Sequence, residues 1–114
     1  MKIYVIKIAV HGVSPMVWRR LRIAADTSLA ALHFIFQIVQ GWGDDHLHQF
    51  HIYGKDYGIS YEGGIGFVDN PFRVVIDDFA FDAGDRFTYE YNLFEHWLHD
   101  IRVEAIYENS TLKA

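Results

Sequence analysis

The order of apolar and polar residues along the chain predicts an N-terminal hairpin. Residues 3–11 are β-branched or aromatic at nearly every position, which is typical of a strand buried on both faces and central in a sheet. A glycine and a proline at 12–15 predict a turn, and a second strand follows at 17–23. The period of two places Arg19 on the apolar face of this second strand and Arg20 on the opposite face.

One amphipathic helix is predicted at 28–40. Apolar side chains recur there at spacings of three and four residues, at Leu29, Leu32, Phe36 and Val39. Ser28 is a candidate N-cap, and Gly41 suits the position just after the last turn, where a left-handed backbone closes a helix. The apolar stripe is wide, so the helix is expected to pack on a sheet.

The C-terminal half is predicted to supply the remaining strands, at 48–53, 72–81, 87–91 and 98–107. The segment at 72–81 is predicted as a brief strand or edge segment, and the last two strands as an antiparallel hairpin. The glycine-rich stretch at 54–66 is predicted to be a long loop, and residues 108–114 a frayed tail.

This order of elements predicts an α+β fold. We expect a β-grasp-like arrangement in which one main helix covers a mixed sheet of about five strands. The whole of residues 1–107 is predicted to form a single domain, because 114 residues are too few for two independent cores.

Composition and charge narrow the classes of function. The chain has no cysteine, so histidine and carboxylate are the metal ligands left to it, and nothing points to an oxidising compartment. No stretch approaches the roughly 20 apolar residues that span a bilayer, so we expect a cytoplasmic protein without a membrane partner. The formal net charge of −5 disfavours nucleic acid as a partner, although a local basic stripe would override the total.

Several short motifs carry a resemblance to a known family. The motifs are Gly12 with Pro15, Trp18-Arg19-Arg20, Leu29 with Leu32-His33, Gly41-Trp42, His46-Leu47-His48 with Phe50, Tyr89-Glu90-Tyr91, and Trp97 with His99 and Glu104. In order and spacing the chain resembles the plasmid pRiA ORF-3-like family, also known as the insertion-element passenger TnpR family. The resemblance covers roughly residues 4–106 and implies an accessory protein of a mobile element in DNA metabolism.

The TnpR label suggests a resolvase, but the residues do not support recombination chemistry. A serine recombinase needs a nucleophilic serine within an arginine cluster, whereas the serines here are predicted turn, cap or tail residues: Ser14, Ser28, Ser60 and Ser110. The chain also departs from the family pattern, with Asn92 where an acidic residue is typical and Phe94 where glycine is typical. These changes put in doubt a carboxylate ligand and a left-handed turn at that point.

Clustered histidines are the strongest candidate for chemistry. His46, His48, His96 and His99 could bind zinc or another divalent metal if the third and last strands lie close together. Asp45 or Glu95 could then act as the base of a small metal-dependent hydrolase. The alternative is that these histidines cap strands and bridge surface carboxylates, since no recognised zinc motif is present.

A second candidate site combines charge with aromatic residues, and its proposed members are Arg19, Arg20, Trp42, Glu90 and Trp97. Arg19 on the apolar face is expected to form an ion pair with Glu90, because an arginine in a core must be matched by a carboxylate. The alternative is that Arg19 and Arg20 together bind an anion. Exposed aromatic residues beside Arg20 and Arg22 would form a stacking surface for single-stranded nucleic acid or a peptide.

No nucleophile and base occur at a readable spacing, so no catalytic residue is assigned. The leading hypothesis is a non-catalytic interaction module whose partner is a protein, a second copy of the chain or, less favoured by charge, a nucleic acid. The alternatives are a divalent-metal-binding protein or hydrolase that uses the clustered histidines, and an accessory protein in DNA metabolism.

Overall fold

The computed structural model describes residues 2–12, 14–43, 46–60, 66–92 and 97–108. The elements in these ranges are β1 (Lys2–Val10), β2 (Trp18–Ala24), α1 (Leu29–Gln40), β3 (His48–Ile52), β4 (Lys55–Tyr57), a 3-10 helix (Ile76–Phe79), β5 (Arg86–Tyr91) and β6 (Trp97–Glu108). The predicted helix and the strands at both ends of the chain are confirmed. No helix within the described ranges has the length and apolar character needed to cross a membrane.

The strands form one sheet in the order β2-β1-β6-β5-β3-β4, and every neighbouring pair is antiparallel. The fold is α+β as predicted, but the expected mixed sheet of about five strands is wrong, since six antiparallel strands are present among the described residues. The β-grasp-like arrangement is not confirmed, because β1 and β6 run in opposite directions.

The additional strand is β4, which lies in the stretch predicted as a long loop. It pairs with β3 through a two-residue turn at Tyr53 and Gly54, whose φ angles are 49° and 77°. Two positive φ angles are typical of the tight turns that join antiparallel strands. A tyrosine in that conformation is uncommon, so this hairpin has little signal in the sequence.

Local signals define both ends of α1. The Ser28 side chain accepts a hydrogen bond from the Ala31 backbone N–H at 3.0 Å, and Gly41 adopts φ 76° after the last turn. On the apolar stripe of the helix, Leu29, Leu32 and Phe36 are fully buried and belong to the hydrophobic core. The hydrophobic core therefore lies on one side of the sheet, between the strands and α1.

The segment predicted as a strand at 72–81 instead contains the 3-10 helix. Its backbone bonds to the connection before α1, with the Ile76 N–H donating to Thr27 and the Asp77 N–H donating to Ala25. The Asp78 carboxylate accepts a hydrogen bond from the Val75 N–H at 2.9 Å and fixes the turn. Only an isolated bridge between Ser28 and Val75 is β-like among these described residues. The frayed tail predicted at 108–114 stays a prediction, since Glu108 is the last residue of β6 and residues 109–114 lie outside the described residues.

The two glycines that flank Trp42, Gly41 and Gly43, allow the effect of backbone strain on stability to be measured without steric crowding. A Cβ atom at either position would meet no heavy atom within 4 Å, but only Gly41 of the two has a positive φ. We expect Gly41→Ala to lower the free energy of unfolding by about 1–2 kcal/mol, because a left-handed backbone is unfavourable for a residue with a Cβ. Gly43→Ala is the matched control and should change it by less than about 0.5 kcal/mol. Urea unfolding of both variants measures the difference, and equal losses would contradict the assignment.

Candidate functional site

The face of the sheet opposite α1 carries a concentration of positive charge. We call the outward side chains of β1, β2, β5 and β6 on this side the uncovered face. It presents five of the chain's ten lysines and arginines, judged from the described residues: Lys7, Arg20, Arg22, Arg86 and Arg102. In a chain of net charge −5 this places half of the basic residues on one surface.

Four of these cations lie directly opposite one another on adjacent strands. The register pairs Arg20 with Lys7, Lys7 with Arg102 and Arg102 with Arg86. We call this set the cationic row. It crosses β2, β1, β6 and β5 and spans about 14 Å, which is three spacings between neighbouring strands. Like charges directly opposite one another on a sheet destabilise it, so the row is not explained by folding alone.

Glu104 is the counter-charge at one end of the row. The Arg20 Nε atom donates to Glu104 Oε1 at 2.6 Å, and a second, longer hydrogen bond of 3.3 Å joins Arg20 Nη2 to Oε2. The hydrogen bond from Arg20, helped by the charges of Lys7 and Arg102, lowers the pKa of the Glu104 carboxyl below its usual value. Lys7, Arg86 and Arg102 make no ion pair with any residue that the structure describes.

An exposed tryptophan adjoins the row. Trp18 lies on β2 opposite Ala9, and its side chain keeps 39% of its surface exposed. The Lys7 Nζ atom is 4.9 Å and the Arg20 Cζ atom 5.1 Å from the centroid of the Trp18 ring. These distances are typical of cation–π interactions. The small side chain of Ala9 leaves the indole uncrowded on the neighbouring strand.

Two shallow depressions follow the row on either side. The first is lined by Lys7, Ala9, Met16, Arg86, Asp100, Ile101 and Arg102. The second is lined by Val5, Arg20, Arg22, Glu104, Ala105 and Tyr107. Each depression has cations of the row on its wall, so an anion resting in either one would contact at least one guanidinium group.

The predicted binding set is divided between the two sides of the sheet. Arg20 is on the uncovered face, but Arg19 pairs in register with the buried Ile8 and therefore points to the other side, where it donates to the Trp18 carbonyl at 2.9 Å. Glu90 is opposite Leu98 and faces outward. The ion pair predicted between Arg19 and Glu90 is wrong, because the two side chains are on opposite faces with two strands between them.

The two predicted tryptophans lie at one end of the covered side. The Trp42 ring stacks on the Tyr91 ring, with centroids 4.6 Å apart, and Trp97 pairs in register with Tyr91. Neither tryptophan is near the cationic row. The prediction did not include Lys7, Arg86 and Arg102. Their alternation with apolar neighbours placed these residues on the outward side of their strands, but only the register between strands shows that they lie opposite one another.

The covered side contains a second feature, which we call the buried histidine cluster. Its members are His33 and Gln37 on α1, His48 on β3, Tyr89 on β5 and His99 on β6, all at most 3% exposed. Gln37 Nε2 donates to the Tyr89 hydroxyl at 2.9 Å, and the hydroxyl lies 2.7 Å from His33 Nδ1. The hydroxyl oxygen can thus accept from the amide and donate its proton to the imidazole.

The hydrogen bonds fix the protonation of two histidines in the cluster. His48 Nε2 accepts from the Ile59 N–H at 3.3 Å, so this nitrogen carries no proton. His99 Nδ1 lies 3.2 Å from the Tyr89 carbonyl, which can only accept, so Nδ1 donates and His99 Nε2 holds a lone pair. That Nε2 atom is buried and has no hydrogen-bond partner among the described residues.

Burial keeps these imidazoles neutral. It lowers the pKa of His48 to about 3, with a further contribution from His33, whose ring is stacked on it at 3.6 Å between centroids. Burial also lowers the pKa of His99, although hydrogen bonds to the backbone act against that shift. A charged imidazole would lose its hydration at these buried positions.

The predicted metal ligands are only partly brought together. His48 and His99 flank Tyr89, with ring centroids 6.1 and 5.6 Å from it, and the His46 ring is 5.6 Å from that of Tyr91. His96, Asp45 and Glu95 lie outside the described residues. Within the described ranges, no three histidine, aspartate or glutamate side chains are grouped so as to hold a metal ion. His33 and Gln37 were not predicted as site residues. The signal that could have found them is a pair of polar residues four positions apart on the apolar stripe of the helix.

Comparison with known proteins places the chain in a family. The model of the family described as "Plasmid pRiA4b ORF-3-like protein" matches residues 2–114. The chain belongs to the plasmid pRiA4b ORF-3-like family. The predicted membership is thereby confirmed, whereas the link to insertion-element TnpR proteins stays a prediction.

Two relatives extend this finding. The uncharacterised protein y4hQ of Sinorhizobium fredii is 30% identical over 104 residues, which are 90% of this chain and 53% of that protein. The crystal structure of MM3350 from Methanosarcina mazei Go1, a protein of unknown function, superposes with a TM-score of 0.81 at 24% identity. The superposition covers 99% of this chain and 65% of the MM3350 chain, and this similarity establishes the fold. The chain therefore spans about half the length of y4hQ and about two thirds of the length of the MM3350 chain.

The low pKa of His48 makes stability depend on pH. Its ordinary pKa is 6.5 and its pKa in the fold is about 3, so the unfolded chain binds the proton more readily between these values. The stabilising contribution is complete above about pH 6.5 and is lost at up to about 1.4 kcal/mol per pH unit as pH falls toward 3.

We expect His48→Gln to be less stable than the native protein at pH 7.5, and this difference to shrink as the pH falls to 4.5. The reason is that glutamine does not titrate, whereas other acid-sensitive groups are common to both proteins. Urea unfolding at pH 7.5, 6.0, 5.0 and 4.5 measures the difference. Parallel stability curves for the two proteins would contradict the assignment.

Proposed function

We propose that the protein is a non-catalytic interaction module that binds an anionic partner through its uncovered face. The observation that carries the proposal is the cationic row, in which Arg20, Lys7, Arg102 and Arg86 are direct cross-strand neighbours. An anion on the row would remove the repulsion between these side chains, so binding and the relief of an unfavourable charge arrangement occur together.

The chemistry of the face supports binding rather than catalysis. Arginine, lysine and tryptophan hold anions and planar groups, but they supply no nucleophile activated by a neighbouring base. The depressions along the row are not enclosed, so they do not exclude water from a reacting group. They suit a partner that lies across the surface.

Retention on heparin–agarose tests the proposal with a generic polyanion. We expect the native protein to be retained at low salt and Arg86→Gln/Arg102→Gln to elute at a clearly lower salt concentration, because half of the row is then neutral. Arg19→Gln/Arg73→Gln is the matched control, since it removes the same charge from positions outside the row. It should elute close to the native protein.

Urea unfolding at low salt provides a second readout of the same variants. The row variant should be as stable as the native protein or more stable by about 0.2–1 kcal/mol, since a like-charge neighbour is removed. No retention of the native protein, or equal shifts in the two double variants, would contradict the proposed function.

A second candidate is divalent-metal binding at the end of the sheet that carries His46, His48 and His99. The observation that favours it is His99, whose Nδ1 atom donates to a backbone carbonyl while the buried Nε2 keeps its lone pair. That arrangement is typical of histidines that bind metals through Nε2.

Metal analysis of protein purified without a histidine tag tests this candidate. If it is correct, about one zinc or other transition metal per chain is bound, and added zinc raises the melting temperature. His46→Gln should reduce the metal content and His11→Gln, which removes an exposed histidine of the opposite side, should not. A metal-free protein whose stability does not respond to zinc would exclude it.

A further inference from the structure

We propose that the anionic partner is a single-stranded nucleic acid, whose phosphates follow the cationic row and one of whose bases stacks on Trp18. This inference rests on the proposed function and names the class of partner. It draws on three features of the uncovered face: the length of the row, its open end and the aromatic ring beside it.

The row has the dimensions of a site for a linear polyanion. Its four cations are spread over about 14 Å, so a small anion would contact only one or two of them. Arg20 is on β2, which is the edge strand of the sheet, and the row is therefore open to solvent at that end. A chain with regularly spaced negative charges can contact every member of the row and continue past the edge.

Trp18 distinguishes a nucleic acid from an acidic peptide. Its ring is exposed, and Lys7 and Arg20 hold positive charge within 5.1 Å of the ring centroid, next to the point where phosphates would bind. Base–aromatic stacking combined with a basic track is the usual way in which single strands are bound without sequence preference. Carboxylate side chains would satisfy the cations but would leave the indole unused.

The exposed aromatic ring also favours a single strand over a duplex. Bases in a duplex are stacked on each other and do not offer a free face to a side chain on a flat sheet. Tyr107, which is 56% exposed, is a second aromatic side chain on the same face, in the depression that contains Arg20 and Arg22. Two aromatic rings on the same surface as the row provide stacking positions for more than one base.

Fluorescence anisotropy with labelled dT12 and the full chain tests the inference. We expect binding of dT12 at 50 mM NaCl that weakens steeply with salt. Arg86→Gln/Arg102→Gln should reduce the slope of log affinity against log salt by about 1.4, because each cation lost releases about 0.7 fewer counterions from a single strand. Arg19→Gln/Arg73→Gln should keep the native slope.

Trp18→Leu tests the stacking contact. It should weaken dT12 binding at least about fivefold. The matched control is Trp97→Leu, because Trp97 is 42% exposed but lies on the covered side of β6, and it should leave binding unchanged. Far-UV circular dichroism and urea unfolding of each variant show that lost binding is not lost structure.

Competition identifies the class of partner. Unlabelled dT12 should displace the probe at much lower concentration than a dodecamer of glutamate or a 12-base-pair duplex. If the glutamate peptide competes as well as dT12 and Trp18→Leu has no effect, the partner is an acidic protein and this inference is overturned while the proposed function stands. Equal competition by the duplex also overturns it. Failure to bind either heparin or dT12 overturns both.

Discussion

The register between β1 and β6 is the constraint on which the rest of the structure depends. This ladder joins the N-terminal hairpin to the C-terminal one in the middle of the sheet. Side chains alternate between faces with a period of two, so a slip of one residue would turn Ile6 to solvent and Lys7 into the core. The irregularity between Val5 and Ile6 shifts the register once, and as a result Val103 and Ile106 both face the covered side. The hydrophobic core and the cationic row are two consequences of the same pairing.

The features that could be predicted from the sequence are those that depend on interactions between residues close together in the chain. Ser28 and Gly41 bound α1 through contacts with their own turns, and the alternation in β5 needs no partner strand to be recognised. The hairpin containing β4 was missed because its turn holds Tyr53 at a positive φ. The cationic row was missed for a different reason: it requires three registers, and the one that joins the two hairpins, between β1 and β6, pairs residues far apart in the chain. The predicted ion pair between Arg19 and Glu90 was wrong because the prediction placed both side chains on the same face of the sheet.

The two faces of the sheet give polar side chains opposite environments. On the covered side burial lowers the pKa of His48 and of His99, the histidines are held by hydrogen bonds to backbone groups and to the Tyr89 hydroxyl, and the His33 and His48 rings are stacked. A polar cluster of this kind stabilises the native packing only while every imidazole stays uncharged. On the uncovered side the charged groups keep their hydration. Burial of His48 and His99 therefore makes the fold sensitive to acid, whereas salt would weaken the proposed binding of an anion on the uncovered face.

The net charge of the chain and the charge of its uncovered face lead to opposite expectations about the partner. A total of −5 argues against a polyanion, but charges act over a Debye length of about 8 Å at physiological ionic strength. A ligand on the uncovered face would therefore respond mainly to the cationic row and to the carboxylates on the same face, Glu90, Asp100 and Glu104, rather than to acidic groups on the other side of the sheet. Since like charges opposite one another weaken a sheet, a row of four is a feature that folding would not favour. Binding of an opposite charge, as proposed for this face, would supply a physical reason for such a row.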